Sequence, residues 1–205
     1  MPTAFQYITI HPHNTSVMAT PEHTPEMNSL DNMTVALYRT GLTIAAAAAL
    51  VYSIERIIGA QLLGDFYLPV FASGIALASA DVHLYDPKFR WFFPFVSWIG
   101  FIILAFAYSL KGTMQPADIL ADLSLTFFYA GAGMFALKES FCFRIIGLPL
   151  VPLFLCGSIM NRLLGFPSAE PYFLLPAALL LTWLSIAKWR MPLHFDIGDK
   201  SLYGL

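Results

Sequence analysis

Charged residues are scarce in this sequence. Of its 205 residues, 11 are lysine or arginine and 13 are aspartate or glutamate, so 12% are charged. A soluble domain carries roughly 25%, and half that share is too little to solvate a globular surface. The net charge is only −2 and there is no basic patch, so we expect no nucleic-acid partner.

Cysteine, histidine and leader features are equally sparse. Cys142 and Cys156 are the only cysteines, and one pair without a framework spacing is no evidence for a disulfide. The first 30 residues contain no lysine or arginine and no continuous apolar run, so we expect no secretory signal there. Outside the first 34 residues the histidines are His83 and His194, both near the edges of apolar runs. We therefore expect no buried haem.

Long apolar runs, in contrast, dominate the chain, in which 58% of residues are hydrophobic. A helix of about 20 apolar residues crosses the ~30 Å hydrocarbon layer. Six such runs lie near residues 35–54, 66–84, 91–110, 117–137, 143–163 and 172–188. Because lipid offers backbone groups no hydrogen-bond partner, each run must be helical. The predicted fold is all-α: a polytopic membrane protein with about six transmembrane helices.

The chain divides into three predicted parts. Residues 1–34 are rich in proline, threonine and asparagine, and such a composition buries too little apolar surface to fold alone. We predict a flexible or partner-bound N-terminal tail over 1–34, a six-helix transmembrane domain over 35–190, and a cytoplasmic C-terminal tail over 191–205.

The orientation follows from the basic residues. With an even number of spans both termini share one side, and that side holds eight of the eleven lysines and arginines. Basic residues concentrate in cytoplasmic segments. The sequence therefore predicts that both termini are cytoplasmic.

Small residues suggest how the helices pack, since close backbone approach associates helices in lipid. They recur every fourth residue in the first helix from Gly41 and in the second from Ala72, and they fill residues 130–133 of the fourth. We expect these three helices to form the centre. The third and sixth helices, rich in large apolar residues, should face lipid or a partner.

Polar residues gather at the predicted cytoplasmic ends of the second and fourth helices and in the C-terminal tail. The candidates are Asp81, His83, Tyr85, Lys138, Glu139, Cys142, Arg144, Asp196, Asp199 and Lys200. These residue types can bind a metal or relay protons, or they can form salt bridges that hold helix ends together. We favour salt bridges, because no spacing here is a metal signature, and we predict neither catalytic nor metal-binding residues.

Two carboxylates stand at the opposite side of the predicted membrane. Asp118 and Asp122 are one turn apart near the start of the fourth helix. Buried, they would indicate a cation or proton path; at a helix N-terminus they also complement the helix dipole, which we favour. Glu55 and Arg56 should anchor the outer end of the first helix.

Several segments resemble a family of small integral membrane proteins of cyanobacteria and gammaproteobacteria, catalogued as a domain of unknown function. The matching segments are residues 37–42, 82–85 with Pro87, KESFCF at 138–143, 149–152 and DIGDKS at 196–201. The two hexapeptides are the specific ones. The resemblance implies a bacterial inner or photosynthetic membrane and supplies no reaction.

Three functions remain open at this point. The first is an accessory, scaffolding or assembly subunit of a larger membrane complex, without catalysis, whose partners are lipids and other membrane subunits. The alternatives are a small-solute or ion transporter or channel, and a membrane enzyme using the cytoplasmic polar residues. We predict no cofactor of the chain's own; lipids or pigments of a partner complex are the bound groups left open.

Overall fold

The computed structural model describes residues 26–84, 86–111 and 116–197. Its long helices are α1 (Ser29–Ile58), α2 (Tyr67–Ala80), α3 (Pro87–Leu110), α4 (Pro116–Ser140), α5 (Val151–Leu163) and α6 (Glu170–Arg190). Short 3-10 turns, Gly64–Phe66 and Leu148–Leu150, lead into α2 and α5, and a one-turn helix, α7 (His194–Ile197), follows α6. No strand occurs in these ranges, so the all-α prediction is confirmed.

Four of the helices, α1, α3, α4 and α6, are long and apolar enough to cross a membrane. The segment Leu148–Leu163 is apolar but shorter. With 14 residues, α2 is about 21 Å long, less than the ~30 Å hydrocarbon layer. A total of six spans, and their direction, therefore stay predictions.

The first helix begins earlier than the sequence analysis placed it. It starts at Ser29 rather than near Val35 because Asn28 and Asp31 form a capping box. The Asn28 side chain accepts from the Asp31 backbone N–H at 2.7 Å, and the Asp31 carboxylate accepts from the Asn28 N–H at 2.9 Å. Such a reciprocal pair satisfies amides that the first turn leaves free.

The closest helix crossing joins α1 and α2, as the small residues predict. A Cβ added to Gly41 would lie 2.5 Å from the Ala78 nitrogen, and one added to Gly74 would lie 2.6 Å from the Ala45 nitrogen. Backbone therefore meets backbone at this crossing. Helix α4 touches α2 through Gly131 and Ile75, and touches α5 through Gly133 and Pro152.

The position of α6 differs from the expectation that it faces mainly lipid or a partner. It packs against α1 and α5, and Ala177 and Ala178 are fully buried. One of its leucines, Leu179, is 53% exposed whereas Leu181 is 5% exposed. The leucines occur on every side of α6, so the sequence does not show which side is buried. Helix α3, which packs against α4 and α2, is the peripheral one.

The two ends of the described chain lie side by side. The Arg39 guanidinium, on the third turn of α1, donates hydrogen bonds to the carbonyl oxygens of Met191 and Pro192, just after α6. The start of α1 and the end of α6 thus share one end of the bundle, as an even number of spans requires.

Candidate functional site

A group of charged side chains is buried where α1 begins and α6 ends. We call it the inner network, after the predicted orientation. It consists of Tyr38, Arg39, Lys138, Glu139, Lys188 and Asp196. These residues come from α1, α4, α6 and α7, so the network joins four elements that are far apart in sequence.

Arg39 is the most extensively bonded member of the inner network. Its Nε lies 2.6 Å and its Nη2 2.5 Å from Asp196 Oδ2. Nη1 donates to Met191 O at 2.7 Å and Nη2 donates to Pro192 O at 3.0 Å. Both side chains of the ion pair are 1% exposed. The guanidinium therefore fastens the segment after α6 to the start of α1.

Glu139 forms the second half of the inner network. Its Oε1 accepts from the Tyr38 hydroxyl at 2.5 Å and from Lys138 Nζ at 2.9 Å, while its Oε2 lies 2.9 Å from Lys188 Nζ. Lys188 Nζ also bonds Asp196, which links the two halves. The ammonium groups of Lys138 and Lys188 stand 5.0 and 5.1 Å from the Tyr38 ring centroid, where cation–π attraction assists.

The inner network is therefore closed on itself. Three cations, Arg39, Lys138 and Lys188, surround two anions, Glu139 and Asp196. Buried charges persist only when paired and hydrogen-bonded, and each of these has several partners. The arrangement suits a structural fastening of the bundle end.

The predicted cytoplasmic candidates divide between this network and its surroundings. Lys138, Glu139 and Asp196 come together in it. Asp81 caps the end of α2 and His83 contacts α1, whereas Cys142 and Arg144 are exposed. Tyr85, Asp199 and Lys200, like residues 1–25 of the predicted tail over 1–34, lie outside the described residues.

Three members of the inner network, Tyr38, Arg39 and Lys188, were not among the predicted site residues. Tyr38 and Arg39 fall within the matching segment 37–42, and Arg39 and Lys188 were counted among the basic residues that set the orientation. Their signal was present: each is a cation within or beside an apolar run, and such residues usually pair inside the bundle. The missing information was the partner, since Arg39 and Asp196 are 157 positions apart.

His83 follows α2 and reaches the first turns of α1, where its Nε2 lies 3.2 Å from Thr34 Oγ1. Burial lowers the pKa of the His83 imidazole, and the nearby Lys138 charge acts in the same direction. Asp81, two residues earlier, has a carboxyl pKa raised by burial. In both groups the shift disfavours the charged form.

A pH dependence of stability follows for His83. A histidine with a lower pKa in the folded than in the unfolded state binds fewer protons when folded, so its contribution is lost as pH falls through the unfolded pKa of about 6.5. We expect the thermal stability to fall below that pH, and the fall to be smaller in His83→Asn. The matched control is His194→Asn at the same end of the bundle; equal pH profiles for His83→Asn and wild type would contradict the assignment.

A second buried polar group, the outer network, occupies the opposite end of the bundle. It consists of Tyr52, Asp122, Arg162 and Glu170. The Arg162 Nε donates to Asp122 Oδ1, and its Nη1 donates to Tyr52 Oη at 3.1 Å. The Arg162 Nη1 also lies 3.4 Å from each of the two Glu170 carboxylate oxygens. The network joins α1, α4, α5 and the start of α6.

The structure separates the two predicted outer carboxylates. Asp122 is partly buried and forms an ion pair with the Arg162 guanidinium, whereas Asp118 is exposed. Glu55 does more than anchor the end of α1, because its carboxylate accepts the backbone N–H groups of Leu62, Leu63 and Gly64 at 2.9, 2.7 and 3.0 Å. It thereby organises the connector between α1 and α2.

Within the described ranges, no group of three or more histidine, cysteine, aspartate or glutamate side chains is placed to hold a metal ion. The carboxylates of both networks face cations of the chain itself. Chemically, the two networks are therefore sets of buried ion pairs.

Comparisons with known proteins agree with a membrane location. A family model described as "Uncharacterized integral membrane protein (DUF2301)" matches residues 77–205. A Haemophilus influenzae protein described as "Uncharacterized protein" is 36% identical over 186 residues, which cover 91% of this chain and 99% of that relative. No solved structure matches.

Proposed function

We propose that this chain, which belongs to the family of uncharacterized integral membrane proteins (DUF2301), is an accessory or assembly subunit that binds another membrane protein through α3. The observation that carries the proposal is Trp98, an exposed tryptophan inside a predicted span. The bound occupant would be a spanning helix of a different protein.

The outer face of α3 is a ridge of large side chains. Its members recur every three or four residues and are all exposed: Trp91, Phe95, Trp98, Ile102 and Phe106. An open apolar groove next to two ridge members is lined by Trp98, Phe101, Ile102 and Ala105. Ridges and grooves of this kind are how helices interlock.

The depth of Trp98 distinguishes this ridge from an ordinary lipid-facing surface. Tryptophan prefers the membrane interface, where its indole N–H reaches polar groups. Trp98 is 68% exposed and, at 1.5 Å per residue, stands ~10 Å inside the predicted span that begins at residue 91. An indole N–H at that depth faces hydrocarbon unless a partner supplies an acceptor. We infer that the partner helix presents a hydrogen-bond acceptor within the hydrocarbon layer.

The alternative functions have less support. The transporter and enzyme alternatives rely on polar candidate residues that a substrate can reach, yet the charges of the inner network are occupied by one another. The predicted cytoplasmic candidates Cys142 and Arg144 are exposed and are not members of that network. The accessory role requires only a surface, and α3 provides one.

Site-directed photocrosslinking in intact membranes tests the proposal. A benzophenone amino acid at position 98 should form a dominant adduct with one integral membrane protein, identified by mass spectrometry. The matched control is position 183 on α6, where Trp183 is 65% exposed and which packs against α1 and α5 rather than beside α3. Adducts only with lipid, or only with a second copy of this chain, would overturn the proposal.

Truncating Trp98 tests how much its side chain contributes to the binding free energy of the complex. Buried interface tryptophans often contribute 2 kcal/mol or more, so Trp98→Ala should weaken the complex by ~30-fold in Kd. The affinity would be measured between purified proteins in lipid nanodiscs. Trp183→Ala should leave it unchanged; equal losses for the two variants would mean that neither marks the interface.

A further inference from the structure

Within the described residues, three glutamates are buried, and they are not equally well partnered. Glu55, Glu139 and Glu170 are each 1% exposed. A buried carboxylate stays ionised only where charges or hydrogen bonds replace its lost hydration; otherwise it takes up a proton and becomes neutral. The three sites therefore differ in the charge they can support.

Glu55 and Glu139 have the short hydrogen bonds and ion pairs that keep a buried carboxylate ionised. Glu55 accepts three backbone hydrogen bonds of 2.7 to 3.0 Å. Glu139 accepts from a tyrosine and a lysine at 2.5 and 2.9 Å, and a second lysine stands 2.9 Å away. Contacts of this length to an ionised carboxylate are the strong kind.

Glu170 has only long contacts. Its oxygens lie 3.4 Å from the Tyr52 hydroxyl and 3.4 Å from Arg162 Nη1, at the limit of hydrogen bonding. The close contact of Arg162 goes instead to Asp122. Two carboxylates thus compete for one guanidinium, and Glu170 is the less well held of the pair.

The wider surroundings do not remove this deficit. The charged and titratable groups that face Glu170 come from α1, α2, α4 and α5: Tyr52, Arg56, Tyr67, Asp122, Tyr129 and Arg162. Arg56 is exposed at the end of α1 and makes no ion pair with Glu170 within the described ranges, so water weakens its influence. The remaining tyrosines are neutral at ordinary pH.

We propose that Glu170 is a reversible proton-binding site at the outer end of the bundle. Water delivers the proton through the rim of the outer network, where the Arg162 and Asp122 side chains are 32% and 16% exposed. An O–H bond forms on the Glu170 carboxylate and neutralises it, which leaves Arg162 paired with Asp122. When the proton returns to water, the Glu170 anion draws Arg162 toward α6.

Infrared difference spectroscopy of the protein in nanodiscs tests this inference directly. Spectra would be compared between about pH 5.5 and 9, where an ordinary glutamate, with a pKa of about 4.3, stays ionised. We expect a carbonyl band of a protonated carboxyl that disappears as pH rises. Carbon-13 labelling of glutamate should shift this band in the wild-type protein, so the test does not depend on a variant that folds.

Two substitutions assign the band. Glu170→Gln, which mimics the neutral form, should abolish it while leaving the thermal stability near the wild-type value at the lower pH. Glu55→Gln removes an equally buried glutamate and should retain the band. A band that is absent, that does not respond to pH, that ignores the glutamate label, or that survives Glu170→Gln would overturn the proposal.

Discussion

Replacing Arg39 with methionine should lower the unfolding free energy by about 3–5 kcal/mol. Methionine replaces the aliphatic part of the arginine side chain but leaves Asp196 without the guanidinium and two carbonyl oxygens, those of Met191 and Pro192, without their donor. Breaking one side of a buried pair costs more than the pair contributes, since the remaining charge stays buried. The measurement is reversible unfolding in mixed detergent micelles.

Two further variants separate the loss of pairing from the loss of a positive charge. Arg190→Met removes an exposed arginine at the end of α6, which is the end of the bundle where Arg39 lies. It should change the unfolding free energy by less than ~0.5 kcal/mol. Arg39→Met combined with Asp196→Leu leaves Lys188 with Glu139 and should recover part of the loss. Equal effects of Arg39→Met and Arg190→Met would show that the inner network does not stabilise the bundle.

The helices themselves were predictable because the bilayer imposes them. Apolar runs of sufficient length must be helical in lipid, and the six predicted runs correspond to α1 to α6. The boundaries were less predictable, because the start of α1 depends on hydrogen bonds between Asn28 and Asp31. When only hydropathy is considered, these polar residues are assigned to the N-terminal tail.

The networks were only half predictable, and the reason is their range in sequence. The even number of helices brings the ends of α4 and α6 to one face, which is why Glu139 and Asp196 were both candidates. Whether a given cation joins them depends on the rotation of each helix about its axis. Arg39 and Lys188 point inward, whereas Arg144 is exposed, and composition does not distinguish them.

Glu170 shows the same limit more sharply. It is the first residue of α6 and lies in the connector between the last two predicted spans. Hydropathy alone predicts that a glutamate at this position is exposed. Its burial depends on Tyr52, from a helix more than 100 positions earlier. The deficit of hydrogen bonds that makes Glu170 a proton site is visible only from distances.

The α1–α2 crossing carries the other large expected effect. Gly41→Leu should destabilise the bundle by about 3 kcal/mol or more, because the new side chain has no low-energy place to go. Already the first added carbon would lie 2.5 Å from the Ala78 nitrogen and 2.6 Å from the Gly74 carbonyl oxygen. Both are backbone atoms, so the helices must move apart rather than a side chain turn away. Thermal unfolding of the detergent-solubilised protein measures the loss.

Ala47→Leu is the matched control for this crossing. Ala47 lies on α1 two turns beyond Gly41 but is exposed, so the same bulk points into lipid and should change the stability little. Gly74→Leu, on the opposite helix, should reproduce the effect of Gly41→Leu, since its added carbon would lie 2.6 Å from the Ala45 nitrogen. If Gly41→Leu and Ala47→Leu unfold at the same temperature, α1 and α2 do not cross at their glycines. Because backbone meets backbone here, we expect any larger residue at either position, whatever its polarity, to destabilise the crossing.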